Sequence, residues 1–335
     1  MNMTLRWGIA SAGKISHDFV TALRGLPADE HEVVAVAARE LSRAQQFAKL
    51  HKIKKSYDKY EELALDRDID IVYIGAINTL HFDIAMMMLE HGKHVLCEKP
   101  LTMNLKQTTE LIQYARTKKL FLMEAVWSRC FPVYDAIRKE LASGSLGDIH
   151  QVNVNFGFDL SDIIRVTTKE LGGGTILDLG VYCLQFACLI YNNEKPESIK
   201  ASGFLNENGV DMSVSTTLLY KGNRTATLVT QGLVTLPNEA FVCGKKGMIK
   251  VPNFWCPTTV SLPSGTVNAP LPESTKHETF NFINSAGLCY EAAEARECIL
   301  KGLTESPKVS HDTSLLLATL EDEIRKQVGV EYPQD

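Results

Sequence analysis

The chain has 335 residues, 45% hydrophobic and 22% charged, an ordinary globular composition with room for two domains. Its formal charge of −5 is mild and spread along the chain, which argues against a dedicated nucleic-acid binder. No run approaches 18 consecutive apolar residues and the first residues lack a secretory pattern; the eight scattered cysteines, with no C-x-x-C pair, read as reduced thiols of a cytoplasmic protein that binds neither membrane nor structural metal.

The first third alternates strand and helix patterns. "LRWGIAS" opens as an apolar strand and runs into small residues. "HEVVAVAAR" (31–39), "IDIVYIGA" (69–76), "HVLCEK" (94–99) and "LFLMEA" (120–125) follow as short, mostly apolar strands. Helical patterns lie between them, over Ser16–Leu26, Leu41–His51, Tyr60–Ala64, His81–His91 and Asn104–Lys118. Such alternation predicts a parallel sheet with crossover helices. After about residue 125 the character changes. A helix ends at Gly144, "DIHQVNVNFGF" alternates like a strand with one covered face, and "GGGTILDLGVYCLQFACLIY" (172–191) becomes a strongly apolar helix. Strand patterns at 197–205, 210–220, 224–233, 238–243, 246–251 and 257–262 predict a large, mainly antiparallel open sheet, and helices at 286–302 and 310–328 close the chain. The expected fold is thus an α/β Rossmann domain over 1–124 followed by an α+β domain over 125–335.

The first strand–helix turn bears on cofactor. A helix N-terminus after a buried strand offers free N–H groups and a favourable dipole to phosphate. Aligned on Gly13, the G-x-G-x-x-G fingerprint reads Ser11-Ala12-Gly13-Lys14-Ile15-Ser16. Gly13 stands where a side chain would most obstruct a pyrophosphate. Ser11 and Ser16 keep the other two points small, at a cost on the order of 1 kcal/mol in backbone strain. A plain small-residue turn without ligand fits the loop as well. The second strand adds information: an NAD site wants an acid at its end for the ribose 2′-hydroxyl, and here Ala38-Arg39 stands instead, with Arg43 one turn later. A guanidinium there suits a 2′-phosphate, so NADP is expected over NAD.

Three further stretches carry candidate chemistry. Glu98 and Lys99 end a parallel strand, where open α/β sheets bind ligands. Asp178 and Tyr182 are four apart, on one face of a regular helix, in an otherwise apolar segment. A tyrosine near an ammonium is a credible acid–base group, because the charge favours the phenolate; a core aromatic with Asp178 as a helix cap is the plain alternative. Asn78 and His81 follow the 69–76 strand, and Trp127 and Arg129 follow the 120–125 strand, placed to approach cofactor ribose, amide and nicotinamide groups.

Taken together, "WGIASAGKIS", "NTLH", "CEKP", "EAVWSRCFP", "GGGTILDLGVY" and "YEAAEARECILKG" resemble the glucose–fructose oxidoreductase / inositol dehydrogenase (Gfo/Idh/MocA) family of two-domain NAD(P) oxidoreductases, over essentially the whole chain. "VVAVAAR", "FLMEAVW", "VYCLQF" and the closing "GVEYPQD" are similar to one branch of it. The resemblance implies a homodimer formed through the open sheet face. It implies NADP held by Ser11, Ala12, Gly13, Lys14, Ile15, Arg39, Arg43, Asn78, His81, Glu98, Lys99, Trp127 and Arg129. It implies oxidation of trans-1,2-dihydrobenzene-1,2-diol to catechol and of D-xylose to D-xylono-1,5-lactone, without metal. In that reading Tyr182 is the general acid/base, Lys99 lowers its pKa, Asp178 orients the hydroxyls, and Trp127, Phe156, Trp255 and Phe280 line the substrate pocket. Other expectations consistent with the residues are another NADP-linked sugar or polyol oxidoreductase, or a non-catalytic NADP sensor.

Overall fold

The computed structural model describes residues 4–272 and 279–335. Two compact units emerge. The first comprises Met1–Leu101, Lys106–Trp127 and Leu271–His311; the second comprises Thr102–Leu105, Ser128–Pro270 and Asp312–Asp335.

In the first unit six strands alternate with helices: β1 Leu5–Ala10, α1 Lys14–Leu23, β2 His31–Ala37, α2 Leu41–His51, β3 Lys55–Tyr57, α3 Tyr60–Leu65, β4 Ile71–Ile74, α4 His81–Glu90, β5 His94–Glu98, α5 Leu105–Lys118 and β6 Leu122–Ala125. The sheet is parallel throughout, in the order β3-β2-β1-β4-β5-β6. The order reverses at β1, and the crevice beyond the strand ends at such a point is where dinucleotides bind. The central strand β4 is buried at every position, as its Ile/Val run requires. Under α1 the Phe19 and Tyr73 rings stack at 3.8 Å, and Trp7 meets Phe19 edge-on at 5.1 Å.

The returning segment 271–311 differs from the expected division, which placed it in the second domain. Its helix α9, Leu288–Leu300, packs on α1. The buried Asp18 carboxylate on α1 accepts the backbone N–H of Asn281 at 2.8 Å and of Phe282 at 2.9 Å. A helical periodicity in the sequence shows which face is apolar and says nothing of which sheet that face covers.

The second unit begins with α6 Pro132–Ser143, which has proline in its first turn and Gly144 at φ 70° ending it. Then come β7 Ile149–Gly157, the short α7 Ile164–Thr167, one turn of π-helix over Ile176–Gly180, and α8 Val181–Ile190. Strands β8 Ser198–Leu205, β9 Asp211–Tyr220, β10 Arg224–Gln231, β11 Glu239–Gly244, β12 Met248–Pro252, β13 Thr259–Leu262 and β14 Gly265–Asn268 complete the sheet. Its order is β14-β13-β12-β11-β7-β10-β9-β8, antiparallel except for the β7–β10 pair. The terminal helix α10 spans His311–Val328. The stretch Lys169–Ile190 reaches a mean hydropathy of 1.5 over 18 residues, enough by composition to cross a membrane, yet 94% of that window is buried inside the fold. It is the core helix of this unit, lying against β7 and β10.

Candidate active site

In the first unit the residues expected to hold a dinucleotide stand at strand ends or in the segments that follow them. The β1 ladder continues into the loop: Ser11 donates its N–H to the Ala37 carbonyl at 2.9 Å, and Gly75 donates to Ala10 at 3.0 Å. Ser11 takes φ +86°, the left-handed region for which the fingerprint prefers glycine. Gly13 is the N-cap of α1 at φ −90°, ψ 179°, a conformation open to any residue. A Cβ there would meet nothing nearer than the Gly75 carbonyl oxygen at 3.7 Å. The protein itself therefore does not require glycine at 13; a phosphate resting on the helix N-terminus would. Ala12 and Ile15 are half-buried, and Lys14 is exposed beside them.

Arg39 and Arg43 are exposed at the end of β2 and the start of α2. Between them and the loop stands Tyr60, a residue without a sequence signal. Burial raises its pKa, while Arg39, Arg43 and a hydrogen bond with the Ser11 side chain pull it back down. Ser11, Arg39 and Arg43 thus all act on the Tyr60 hydroxyl.

At the end of β5, Glu98 is buried and accepts the Tyr73 hydroxyl at 2.5 Å; Lys99 is half-buried beside it. His81 is also buried, with Nδ1 2.8 Å from the Pro100 carbonyl oxygen and Nε2 3.0 Å from that of Ala76. The ring thereby braces the turn after Lys99 against the end of β4, which is its evident work. Asn78 is buried in the turn before α4, Trp127 is buried at the unit's edge, and Phe280 is half-buried next to the Asp18-bound segment. Behind Glu98, Glu291 on α9 is fully buried with neither carboxyl oxygen hydrogen-bonded among the described residues. Burial first, and the Glu98 charge second, hold its pKa well above the usual carboxylate range.

In the second unit, Asp178 lies in the π turn and Tyr182 in the first turn of α8. The shared-face argument for a regular helix therefore does not describe them. A π turn widens the backbone locally and is frequent at functional sites. Arg165, also unmarked in sequence, binds Asp178 at 3.1 and 3.3 Å through both nitrogens of its fork. Tyr182 stands edge-on to Phe156 at 5.6 Å and 88°, and Phe156 leans on Trp255 at 4.7 Å. Phe158 meets Trp255 at 5.6 Å. Phe156 thus joins Tyr182 to Trp255 in one aromatic wall, and the Arg165-held Asp178 stands four residues before Tyr182. Arg129 departs from expectation. The residue is 2% exposed, and its guanidinium donates to the Gln185 side chain at 3.1 Å and the Gln185 carbonyl at 2.8 Å. These bonds tie it to α8.

A parallel sheet with a phosphate-ready strand–helix turn, joined to a large open-sheet unit bearing polar groups on an aromatic wall, defines a two-unit dinucleotide-dependent oxidoreductase. Family models agree: residues 5–126 match an oxidoreductase family with an NAD-binding Rossmann fold, and residues 134–250 match the GFO/IDH/MocA C-terminal domain. The chain belongs to the GFO/IDH/MocA family. It is 49% identical over 332 residues to trans-1,2-dihydrobenzene-1,2-diol dehydrogenase of Xenopus tropicalis, covering 99% of this chain and 100% of the relative. Among solved structures, a 3-ketoreductase from Actinomadura kijaniata in complex with NADP and TDP-benzene shares the fold at TM-score 0.81 and 24% identity, covering 98% of this chain and 99% of that one. Levoglucosan dehydrogenase with NADH and levoglucosan shares it at TM-score 0.83 and 19% identity, covering 97% of each chain.

Proposed function

We propose that the protein is an NADP-dependent oxidoreductase acting on CH–OH groups, oxidising trans-1,2-dihydrobenzene-1,2-diol to catechol and D-xylose to D-xylono-1,5-lactone. The observation that carries this reading is the second unit's arrangement: Tyr182 against Phe156, with Asp178 held by Arg165 one turn earlier. Apolar ring faces suit a planar cyclic diol, and a few polar groups orient its hydroxyls. The near-half identity to dihydrodiol dehydrogenases supports the same substrate class. Ser11, Tyr60, Arg39 and Arg43 support NADP.

NADP, when bound, supplies the nicotinamide carbon that takes the hydride. The chain's own residues handle the rest. Gly13 and the α1 N-terminus hold the pyrophosphate, and Arg39 with Arg43 neutralises the 2′-phosphate. Asp178 accepts a substrate hydroxyl and orients its carbon. Tyr182 removes the proton from the hydroxyl being oxidised. The first product of the diol is a hydroxydienone, which becomes catechol by tautomerisation. D-xylose loses hydride and proton at the anomeric carbon and yields the lactone directly.

The test is Tyr182→Phe, assayed for NADP reduction with trans-dihydrodiol, D-xylose, D-glucose and inositol. Turnover should fall by roughly 10²-fold or more with NADP binding unchanged. Near-normal turnover removes Tyr182 from the chemistry, and wild-type inactivity on all four substrates leaves the NADP sensor as the reading.

A further inference from the structure

The glycine run before the Asp178 turn is fixed from two sides, both within the second unit. Asp211, the first residue of β9, is fully buried. Its Oδ2 accepts the Thr175 hydroxyl and the Ile176 N–H, each at 2.7 Å. The Thr175 hydroxyl also lies 2.9 Å from that of Thr230 on β10. From the other side the Tyr332 hydroxyl donates to the Gly173 carbonyl. Gly174 has φ +110°, and a Cβ there would collide with Asp211 Oδ1 and lie 3.0 Å from the Tyr332 oxygen. Neither partner leaves the turn room to move.

Tyr332 is itself anchored. It is buried with Met103, Leu177, Val210, Met212 and Val330 in one apolar cluster, and Leu177 immediately precedes Asp178. The Arg325 guanidinium lies 5.0 Å from the Tyr332 ring centroid and binds Asp335 at 2.8 Å. The closing "GVEYPQD" is therefore packed and hydrogen-bonded to the element that projects the two candidate catalytic groups.

We propose that Asp211 and Tyr332 are positioning residues, which fix the 172–175 turn and through it the placement of Asp178 and Tyr182 without touching substrate. The inference rests on the reading of Asp178 and Tyr182 given above. A displacement of about an ångström at reacting groups lowers rates up to about a hundredfold, so partial loss of this support is readable in kcat.

The test uses the full chain with Tyr332→Phe, Asp211→Asn and Asp211→Ala, each also in a Tyr182→Phe background. Tyr332→Phe keeps the ring in its cluster and should lower kcat about tenfold with the NADP dissociation constant unchanged. Amide hydrogen exchange over 174–182 should quicken in the same variant. Asp211→Asn keeps one acceptor oxygen and should lose less kcat than Asp211→Ala; if the alanine variant does not fold, the other two decide. The losses should shrink in the Tyr182→Phe background, because the group being positioned is gone. Wild-type kcat and exchange in Tyr332→Phe, or losses that multiply in full in the double variants, overturn the inference. Undiminished turnover of Tyr182→Phe alone instead overturns the catalytic reading, while the exchange data still judge the positioning one.

Discussion

The Ser16 hydroxyl occupies the space that a side chain on Gly75 would fill. A Cβ at 75 would collide with Ser16 Oγ and come within 3.1 Å of the Tyr73 ring and 3.2 Å of Ile15 Cγ2. Serine replaces the third glycine of the dinucleotide fingerprint, and glycine at the end of β4 makes room for it. Gly75→Ala should therefore cost about 1–3 kcal/mol, and Ser16→Ala should recover much of that. Ser16→Ala alone should cost little, because the hydroxyl is buried without a hydrogen-bond partner among the described residues. Urea denaturation of the two single variants and the double measures the coupling; strictly additive values would mean the two sites are independent.

The charges of Arg39 and Arg43 both reach the Tyr60 hydroxyl, and the proposed NADP reading gives them the 2′-phosphate. Arg39→Ala should weaken NADP by roughly tenfold or more while leaving NAD nearly unaffected, since a lost charge-assisted pair is worth about 1.5–3 kcal/mol. Titration of both dinucleotides against the variant decides it, and equal losses would show that Arg39 does not read the 2′-phosphate.

His31 predicts an acid-side loss of stability. Trp7 Nε1 donates to His31 Nδ1 at 3.1 Å, a bond that the neutral ring accepts. Burial, and then the Arg296 charge, lower the His31 pKa to about 4. Its unfolded value is about 6.5, so the unfolded chain binds the extra proton first. The contribution is fully present above pH 6.5 and fades as pH falls towards 4, on the order of 2–3 kcal/mol in all. A His31→Asn variant should show a shallower stability slope across that window in urea titrations; an unchanged slope would acquit His31.

Glu291 works in the opposite sense. Its folded pKa is raised, by burial and then by Glu98, so the native state holds a proton that the unfolded state releases. Stability from this group is fully present below about pH 4.3 and declines as pH rises. Glu291→Gln, close in shape to the protonated acid, should be more stable than the wild type at pH 8, by about 1 kcal/mol or more. The advantage should narrow at pH 5. Thermal melts at the two pH values would expose the idea as wrong if the gap were constant.

The second sheet's edge strand β8 ends on two solvent-exposed apolar side chains: Phe204 is 78% exposed and Leu205 39%. For the proposed homodimer we expect sedimentation to show dimer at micromolar concentration and Phe204→Asp to shift it towards monomer. A wild-type protein that sediments only as monomer would end that proposal.

Much of this architecture is legible in the sequence because strong periodicities report it. Continuous Val, Ile and Ala runs mark the buried parallel strands, and alternation marks β7 and β9. Some of the shortest elements escape: β3, α7 and β14, of three or four residues, show no period that registers. The candidate site divides in the same way. Motif residues such as Gly13, Arg39, Lys99 and Tyr182 are found by their place at strand ends or on an apolar helix. Tyr60, Arg165 and Asp211 meet partners distant in sequence, and no local pattern sets them or the buried Glu291 apart. Asp211 leaves the faintest trace, a lone acid opening an alternating strand. Arg129 misleads for the complementary reason: a guanidinium after a strand looks available until Gln185 is seen to hold it.

The division into units leaves a mark on how the gene can be cut. The chain passes from one unit to the other at 101/102, 105/106, 127/128, 270/271 and 311/312. A fragment ending at residue 127 would carry all six strands of the first sheet and still lack α9, the helix that covers α1, together with the partners of Asp18. It would be born with the Asp18 carboxylate stripped of these partners and the α1 face that meets α9 open to water. The dinucleotide module of this protein is therefore not a transplantable cassette, and chimaeras with relatives must exchange residues 271–311 along with the N-terminal third.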